Sequence, residues 1–179
     1  YPLHFYLYQQ DNGQLLLSRL LSDAELQRIP IGKHAFINLI HIRFENSLPE
    51  NTMFSYDFGL IFADKIQTLH EIIPDLAYPG NQRPTFAIKS NIQKILHGSC
   101  RKPHFASGDG LRQVDKALEA THSSVRQRPS LLMMTGDQVY VDDVAGPMLV
   151  AIHQVIKLLG LCDESWQGAE VSHSAELFS

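Results

Sequence analysis

The chain has 179 residues, 44% hydrophobic and 19% charged, enough for one large or two small domains and a balance that excludes extensive disorder and a collagen-like or coiled-coil rod. Its net charge of -4 is spread evenly, with 7 Lys/Arg against 9 Asp/Glu in residues 1–92 and 8 against 10 beyond, so neither half is a nucleic-acid arm and no nucleic-acid-binding surface is evident. No apolar run reaches the ~18–20 residues of a membrane span, and no basic-then-apolar leader opens the chain, which leaves its compartment open.

Leu3 to Tyr8 reads as a strand, and Asp11-Asn12-Gly13 between two apolar runs signals a hairpin whose return strand is Gln14 to Leu21. Ser22-Asp23-Ala24-Glu25 has capping-box spacing, predicting a short helical turn that Pro30 stops. Phe36, Asn38, Ile40, Ile42 and Phe44 alternate, predicting a half-buried strand over residues 34–44. After the turn at Leu48 to Thr52, Phe54, Tyr56 and Phe58 alternate again, as in a strand at a sandwich corner. Ile66, Leu69 and Ile73 predict an amphipathic helix from Asp64 to Ile73. Pro74, Pro79-Gly80 and Pro84 then break regularity before a strand at Thr85 to Ile88, and residues 89–93 are the best domain boundary.

Beyond that boundary the pattern alternates strand and helix. Lys94 to His97 is a short strand running into Gly98-Ser99-Cys100, and Leu111, Val114, Ala117 and Leu118 mark a helix. Leu131 to Met134 has the length and apolarity of a buried strand, and Pro147 to Leu159 reads as a helix with Pro147 in its first turn and Asp142 or Asp143 near its positive end. The fold class is therefore mixed, β followed by α/β.

Two cysteines, Cys100 and Cys162, are too few for a disulfide scaffold and match no zinc-ribbon or CxxC spacing; they are read as reduced thiols, with a single bridge as the alternative. In an α/β sheet ligands gather beyond the carboxyl ends of strands. Cys100 follows the first strand of this half and Asp137 the second, so if the strands are parallel neighbours a thiolate, a carboxylate and the phenol of Tyr140 converge on one metal ion. Taken singly, each has a plainer reading: Gly-Asp as a turn former or helix cap, Tyr as a packing residue, and an unpaired Cys as a small hydrophobe.

Gly98-Ser99-Cys100-Arg101, followed by Leu131-Leu-Met-Met-Thr-Gly136-Asp137-Gln138-Val139-Tyr140 and then Asp142-Asp143-Val144-Ala145-Gly146-Pro147, resembles the opening of the PhoD-like (alkaline phosphatase D) metallophosphoesterases, the extended motif being similar to a bacterial subgroup. Leu48-Pro49-x-x-Thr52-x-Phe54-x-Tyr56 is similar to the fibronectin-type corner of the small sandwich that precedes their catalytic domain, with a different Pro spacing and Phe54 in place of Tyr. The likenesses cover residues 30–60 and 85–150.

The resemblance implies a fibronectin-III-like β-sandwich over residues 1–90 and the first β-α-β-α portion of a metallophosphoesterase domain over 91–179. It implies Cys100 as a metal ligand, Asp137 as the bridging carboxylate and Tyr140 as the phenolate on a ferric ion, as in purple acid phosphatases. Arg101 is a phosphate contact by position. The implied cofactor is a binuclear centre, Fe3+ with a divalent ion (Ca2+, Mn2+, Mg2+ or Zn2+), which activates water and clamps phosphoryl oxygens for in-line displacement at a phosphoester substrate. No Gly-Asn-His motif follows Asp137, and His4, His41, His97, His153 and His173 read as strand, helix or tail residues, so the second metal's ligands and the catalytic histidine are unassigned. The expectation is an inactive N-terminal portion, from Tyr1 to Ser179, of a larger hydrolase. Its apolar faces at Leu131–Met134 and along the last helix would be covered by a remainder or a second copy. The alternatives are a non-catalytic β-sandwich binding module with a structural α/β segment, and a degenerate site that holds phosphate without turnover.

Overall fold

Alternation of Leu3, Phe5 and Leu7 produces β1 (Leu3–Gln9) in the computed structural model, which describes residues 2–62, 65–103, 105–174 and 176. The chain groups into two compact units, Tyr1–Ser22 with Arg43–Asp143 and Asp23–Ile42 with Val144–Ser179. The architecture is mixed, mostly antiparallel strands with a few helices. No helix among the described residues is long and apolar enough to cross a membrane.

In the first unit, β1 turns at Asp11-Asn12-Gly13 into β2 (Leu15–Leu20). Gly13 takes φ +66° and the Asn12 side chain accepts from the Gln14 N–H at 2.9 Å, the local chemistry that Asn-Gly brings to a tight hairpin. The centre of the sheet is β5 (Thr52–Phe62). It pairs along one edge with β1 from Leu3↔Leu60 to Gln9↔Phe54, and its other edge is divided between β7 (Thr85–Ile88), which pairs Thr52–Ser55, and β6 (Lys65–Thr68), which pairs Gly59–Phe62. Five strands thus form one antiparallel sheet.

Directly opposed residues share a face, so Phe5, Leu7, Phe54, Tyr56 and Phe58 form one aromatic and aliphatic layer, with Phe5 against Phe58 at 5.3 Å and Phe54 against Phe86 at 5.4 Å between ring centroids. Leu7 and Phe54 are fully buried. On the opposite face Asp57, 2% exposed, accepts from the Phe58 N–H at 2.8 Å and the Leu69 N–H at 3.0 Å, with Arg83 Nε at 3.7 Å. A buried carboxylate requires such partners.

The helix expected over 64–73 is shorter. Residues 65–68 are β6, paired with β5, and only Leu69–Ile72 is helical, as α1; Asp64 lies outside the described residues. The switch falls at Thr68, whose N–H and hydroxyl both donate to Glu71 at 2.8 and 3.1 Å. A capping side chain three residues on starts a helix there and not earlier.

Still within this unit, β8 (Ile95–Gly98) lies parallel to β9 (Leu131–Met134), in register from Ile95↔Leu131 to Gly98↔Met134, with α2 (Gly110–Glu119) between them in sequence. The strand expected to be buried is open: Leu131, Leu132 and Met133 are about two-fifths exposed, because a two-stranded parallel pair leaves faces that need cover. The units also divide the chain differently from the sequence boundary near residue 90. Arg128, from the segment after α2, donates to Thr85 Oγ1 and Thr85 O of β7, each at 2.8 Å, and Lys89 Nζ donates to the Arg128 carbonyl. Tyr78 Oη donates to Asp115 Oδ1 of α2 at 2.8 Å; burial, then that hydrogen bond, pushes the phenol up to about 12.

The second unit holds β3 (Leu26–Pro30) and β4 (Phe36–Ile40), an antiparallel hairpin, and α3 (Gly146–Leu159). The helical turn expected at 22–25 is a single turn at 23–25 leading into β3. Pro30, lacking an N–H, ends the strand instead of stopping a helix. The strand expected over 34–44 spans only Phe36–Ile40 and is not half-buried, with Phe36, Ile37 and Leu39 all more than half exposed, since two strands cannot cover their own faces. In α3 Pro147 sits in the first turn, the cap position is Ala145 without a side-chain bond, and Gly160 at φ +55° closes the helix. No residue of α3 is buried.

Candidate functional site

The parallel pairing of β8 and β9 does not stop at their last residues. The Thr135 N–H donates to the Gly98 carbonyl (3.2 Å), Cys100 N–H to Gly136 O (3.3 Å), Arg101 N–H to Asp137 O (3.0 Å) and Tyr140 N–H to Arg101 O (2.8 Å). Four backbone bonds therefore zip the two strand-end loops together. To keep that ladder the chain turns sharply at two non-glycine residues, Cys100 at φ +53° and Asp137 at φ +47°. Left-handed backbone at a cysteine costs about 1–2 kcal/mol, and Asp tolerates it better. Strain of this kind persists where neighbouring structure over-determines it, and such places are often functional.

The consequence is convergence. Tyr140 Oη donates to Asp137 Oδ2 at 2.7 Å, and the Cys100 thiol lies 3.5 Å from the same oxygen. All three sequence-predicted residues thus meet at one carboxylate oxygen, exposed to solvent. The hydrogen bond to Asp137, then that with Cys100, raises the Tyr140 phenol above its ordinary value. Among the described residues no group of three or more His, Cys, Asp and Glu side chains is placed to hold a metal ion; the set here is one thiol, one carboxylate and one phenol. Each becomes an anionic ligand on losing its proton, and a cation at their meeting point reverses the electrostatics that raise the phenol. The donor set fits one ion that stabilises thiolate and phenolate together.

Arg101 lies beside this site, but its fork is engaged: Nε and Nη2 donate to Asp109 Oδ1 and Oδ2 at 2.9 and 2.6 Å. Asp109 also caps α2, accepting from the Leu111 N–H at 3.1 Å. The bidentate face suited to a phosphate is turned to Asp109, so an Arg101 contact to substrate would share or exchange that partner. Lys102 is ion-paired with Asp143, and His97 Nε2 and Thr135 Oγ1 are 3.0 Å apart at the strand ends. Cys100 and Cys162 are free thiols, and His153 lies within α3.

Sequence reasoning missed Asp109, the Lys102–Asp143 pair and the His97–Thr135 pair. Asp109 had a signal, an Asp immediately before a periodic helical run. The other two had none, because they join residues about 40 positions apart.

No protein-family model matches the chain, and no curated protein or solved structure is significantly similar to it.

Proposed function

We propose that this chain belongs to a PhoD-like metal-dependent phosphoester hydrolase and supplies the first half of its binuclear site, with a fibronectin-III-like sandwich at residues 1–90 and the opening of the catalytic domain at 91–179. The observation that carries the reading is the meeting of Cys100, Asp137 and Tyr140 at one oxygen, held by two zipped loops with left-handed backbone at Cys100 and Asp137. For the sandwich the support is narrower: β5, which follows the Leu48–Thr52 corner and carries Phe54, Tyr56 and Phe58 on one face.

When bound, Fe3+ with a divalent partner supplies the positive charge that lowers the pKa of a water and neutralises phosphoryl oxygens. The chain's part is positional. Asp137 presents Oδ2 as the shared acceptor of Tyr140 and Cys100, these three side chains would hold the ion, and the backbone ladder keeps them from spreading. Asp109 holds Arg101 beside them. The remaining ligands and the catalytic histidine come from residues outside this set, so the chain alone is expected to be inactive. On the same reading the exposed apolar residues Leu131 and Met133 of β9 and those of α3 are covered by other parts of the hydrolase or by a second copy.

The test is elemental analysis of the purified chain with a visible absorption scan, repeated on Tyr140→Phe and Asp137→Asn. Near-stoichiometric iron with a tyrosinate-to-iron band is expected, the band vanishing in Tyr140→Phe and the metal falling at least about tenfold in Asp137→Asn. Asn tolerates the left-handed backbone, so Asp137→Asn keeps the loop while removing the charge. A metal-free, colourless protein under iron saturation overturns the reading and favours the non-catalytic binding module.

A further inference from the structure

The three converging residues do not stand on a flat surface. Cys100 and Tyr140 line a cleft of about 460 Å3, within the ~300–1,000 Å3 range of small-molecule sites. Polar side chains of His97, Ser99 and Ser107 also line it, and its apolar wall is contributed by three parts of the first unit. Leu132 and Met134 come from one face of β9, Leu111 and Val114 from one face of α2, and Phe105 from the loop between β8 and α2. Spacings of two on a strand and three on a helix place each pair on a common face.

Two features separate this cleft from an ordinary helix-on-sheet seam. Phe105 is 59% exposed, a large aromatic on a loop that closes no core. It is also tied to the charged rim, since Lys102 Nζ lies 5.8 Å from its ring centroid while pairing with Asp143. Arg101 on the same wall is held by Asp109. The cleft therefore combines an apolar wall, a thiol and a phenol that would ligate the metal of the proposed site, and two cations fixed by carboxylates. A ligand that matches it has a compact anionic head and an apolar body.

Resting on the phosphoesterase reading above, we infer that the cleft takes phosphoesters whose esterified group is apolar, an aryl or short alkyl chain seated against Phe105, Leu111, Val114, Leu132 and Met134. Phe105 is then a specificity-determining residue, and the class excludes substrates whose esterified group is a strongly polar polyol or sugar.

The experiment titrates the full chain with phenylphosphonate, methylphosphonate and benzyl alcohol by calorimetry, in the native protein and in Phe105→Ala and Val114→Trp. Phe105 is largely exposed, so its truncation leaves folding intact, and Val114→Trp fills the cleft from the opposite side; far-UV circular dichroism confirms both. Phenylphosphonate is expected to bind about tenfold or more tighter than methylphosphonate, the worth of roughly 60 Å2 of apolar surface leaving water. Both variants bring the ratio to within about twofold. Equal affinity for the two phosphonates, a preference that persists in both variants, or no binding of either overturns the inference. Phenylphosphonate binding no tighter than benzyl alcohol overturns the phosphoesterase reading beneath it, because the head group then contributes nothing.

Discussion

Asp109 shows how one side chain joins local structure to the site. It caps α2 through the Leu111 N–H and holds the Arg101 guanidinium, and that ion pair, then the cap, lowers its carboxyl to about 2. A depressed folded-state pKa means that the stabilisation is present above the unfolded value near ~3.9 and is lost as pH falls through about 2. Asp109→Asn preserves a good N-cap and removes only the charge. The stability difference between native and variant proteins, measured by urea unfolding, is therefore expected to be constant from pH 7 to 5 and to shrink between about pH 4 and pH 2. A difference that stays unchanged at low pH would place the effect in the cap and not in the Arg101 pair. At this scale Cys100, Asp137 and Tyr140 were legible in the sequence because Ser-Cys and Gly-Asp-x-x-Tyr are short motifs at strand ends. Arg101's partner was not, since nothing in the pattern says which carboxylate a loop arginine will meet.

Among the elements, β5 carries the first unit. It has a partner along each edge and contributes Met53 and Phe54 to the core, at 2% and 0% exposure. Phe54→Ala removes a fully buried ring stacked on Phe86 and is expected to cost about 3–5 kcal/mol, read as a lower urea midpoint with the slope unchanged. A cost under about 1 kcal/mol would mean that the sheet closes over the gap and that β5 is not its centre. Elements with a complete local signal were read correctly: the Asn-Gly hairpin, Leu131–Met134 to the residue, and α2 and α3 to within a residue or two. Those that failed lacked one. Lys65–Thr68 carries helical spacing at Ile66 and Leu69 yet pairs as an edge strand, because the ladder offered by β5 outweighs a weak intrinsic preference. Leu26–Pro30, where the capping-box spacing of Ser22–Glu25 predicted a helical turn ended by Pro30, becomes a strand through its pairing with Phe36–Ile40.

For the molecule as a whole, burial is distributed unevenly. Every residue named as core, Leu3, Phe5, Leu7, Leu21, Met53 and Phe54, belongs to the first unit, whereas α3 has none and exposes Val150, Val155 and Leu158 by about half or more. Local opening free energies follow buried contact, so native-state hydrogen exchange of the full chain is expected to be slowest at the paired amides of β1 and β5. Exchange at α3 amides should be at least about a hundredfold faster, a gap of roughly 3 kcal/mol. Comparable protection in α3 would show that its apolar face is covered in solution, and sedimentation at two concentrations would then tell whether a second copy covers it.

By itself the sequence determined the mixed class and the positions of the strongly patterned strands and helices, and it marked Cys100 and Asp137 as strand-end residues, because turn chemistry and periodicity act within a few positions of the chain. Only the tertiary structure decided that β5 is the shared partner of three strands, that the loops after β8 and β9 are zipped by backbone hydrogen bonds, and that Arg101 is turned to Asp109. Each of these depends on which backbone groups and side chains find partners far away in sequence. The free energy of such a pairing belongs to the partners jointly and is written in neither segment alone.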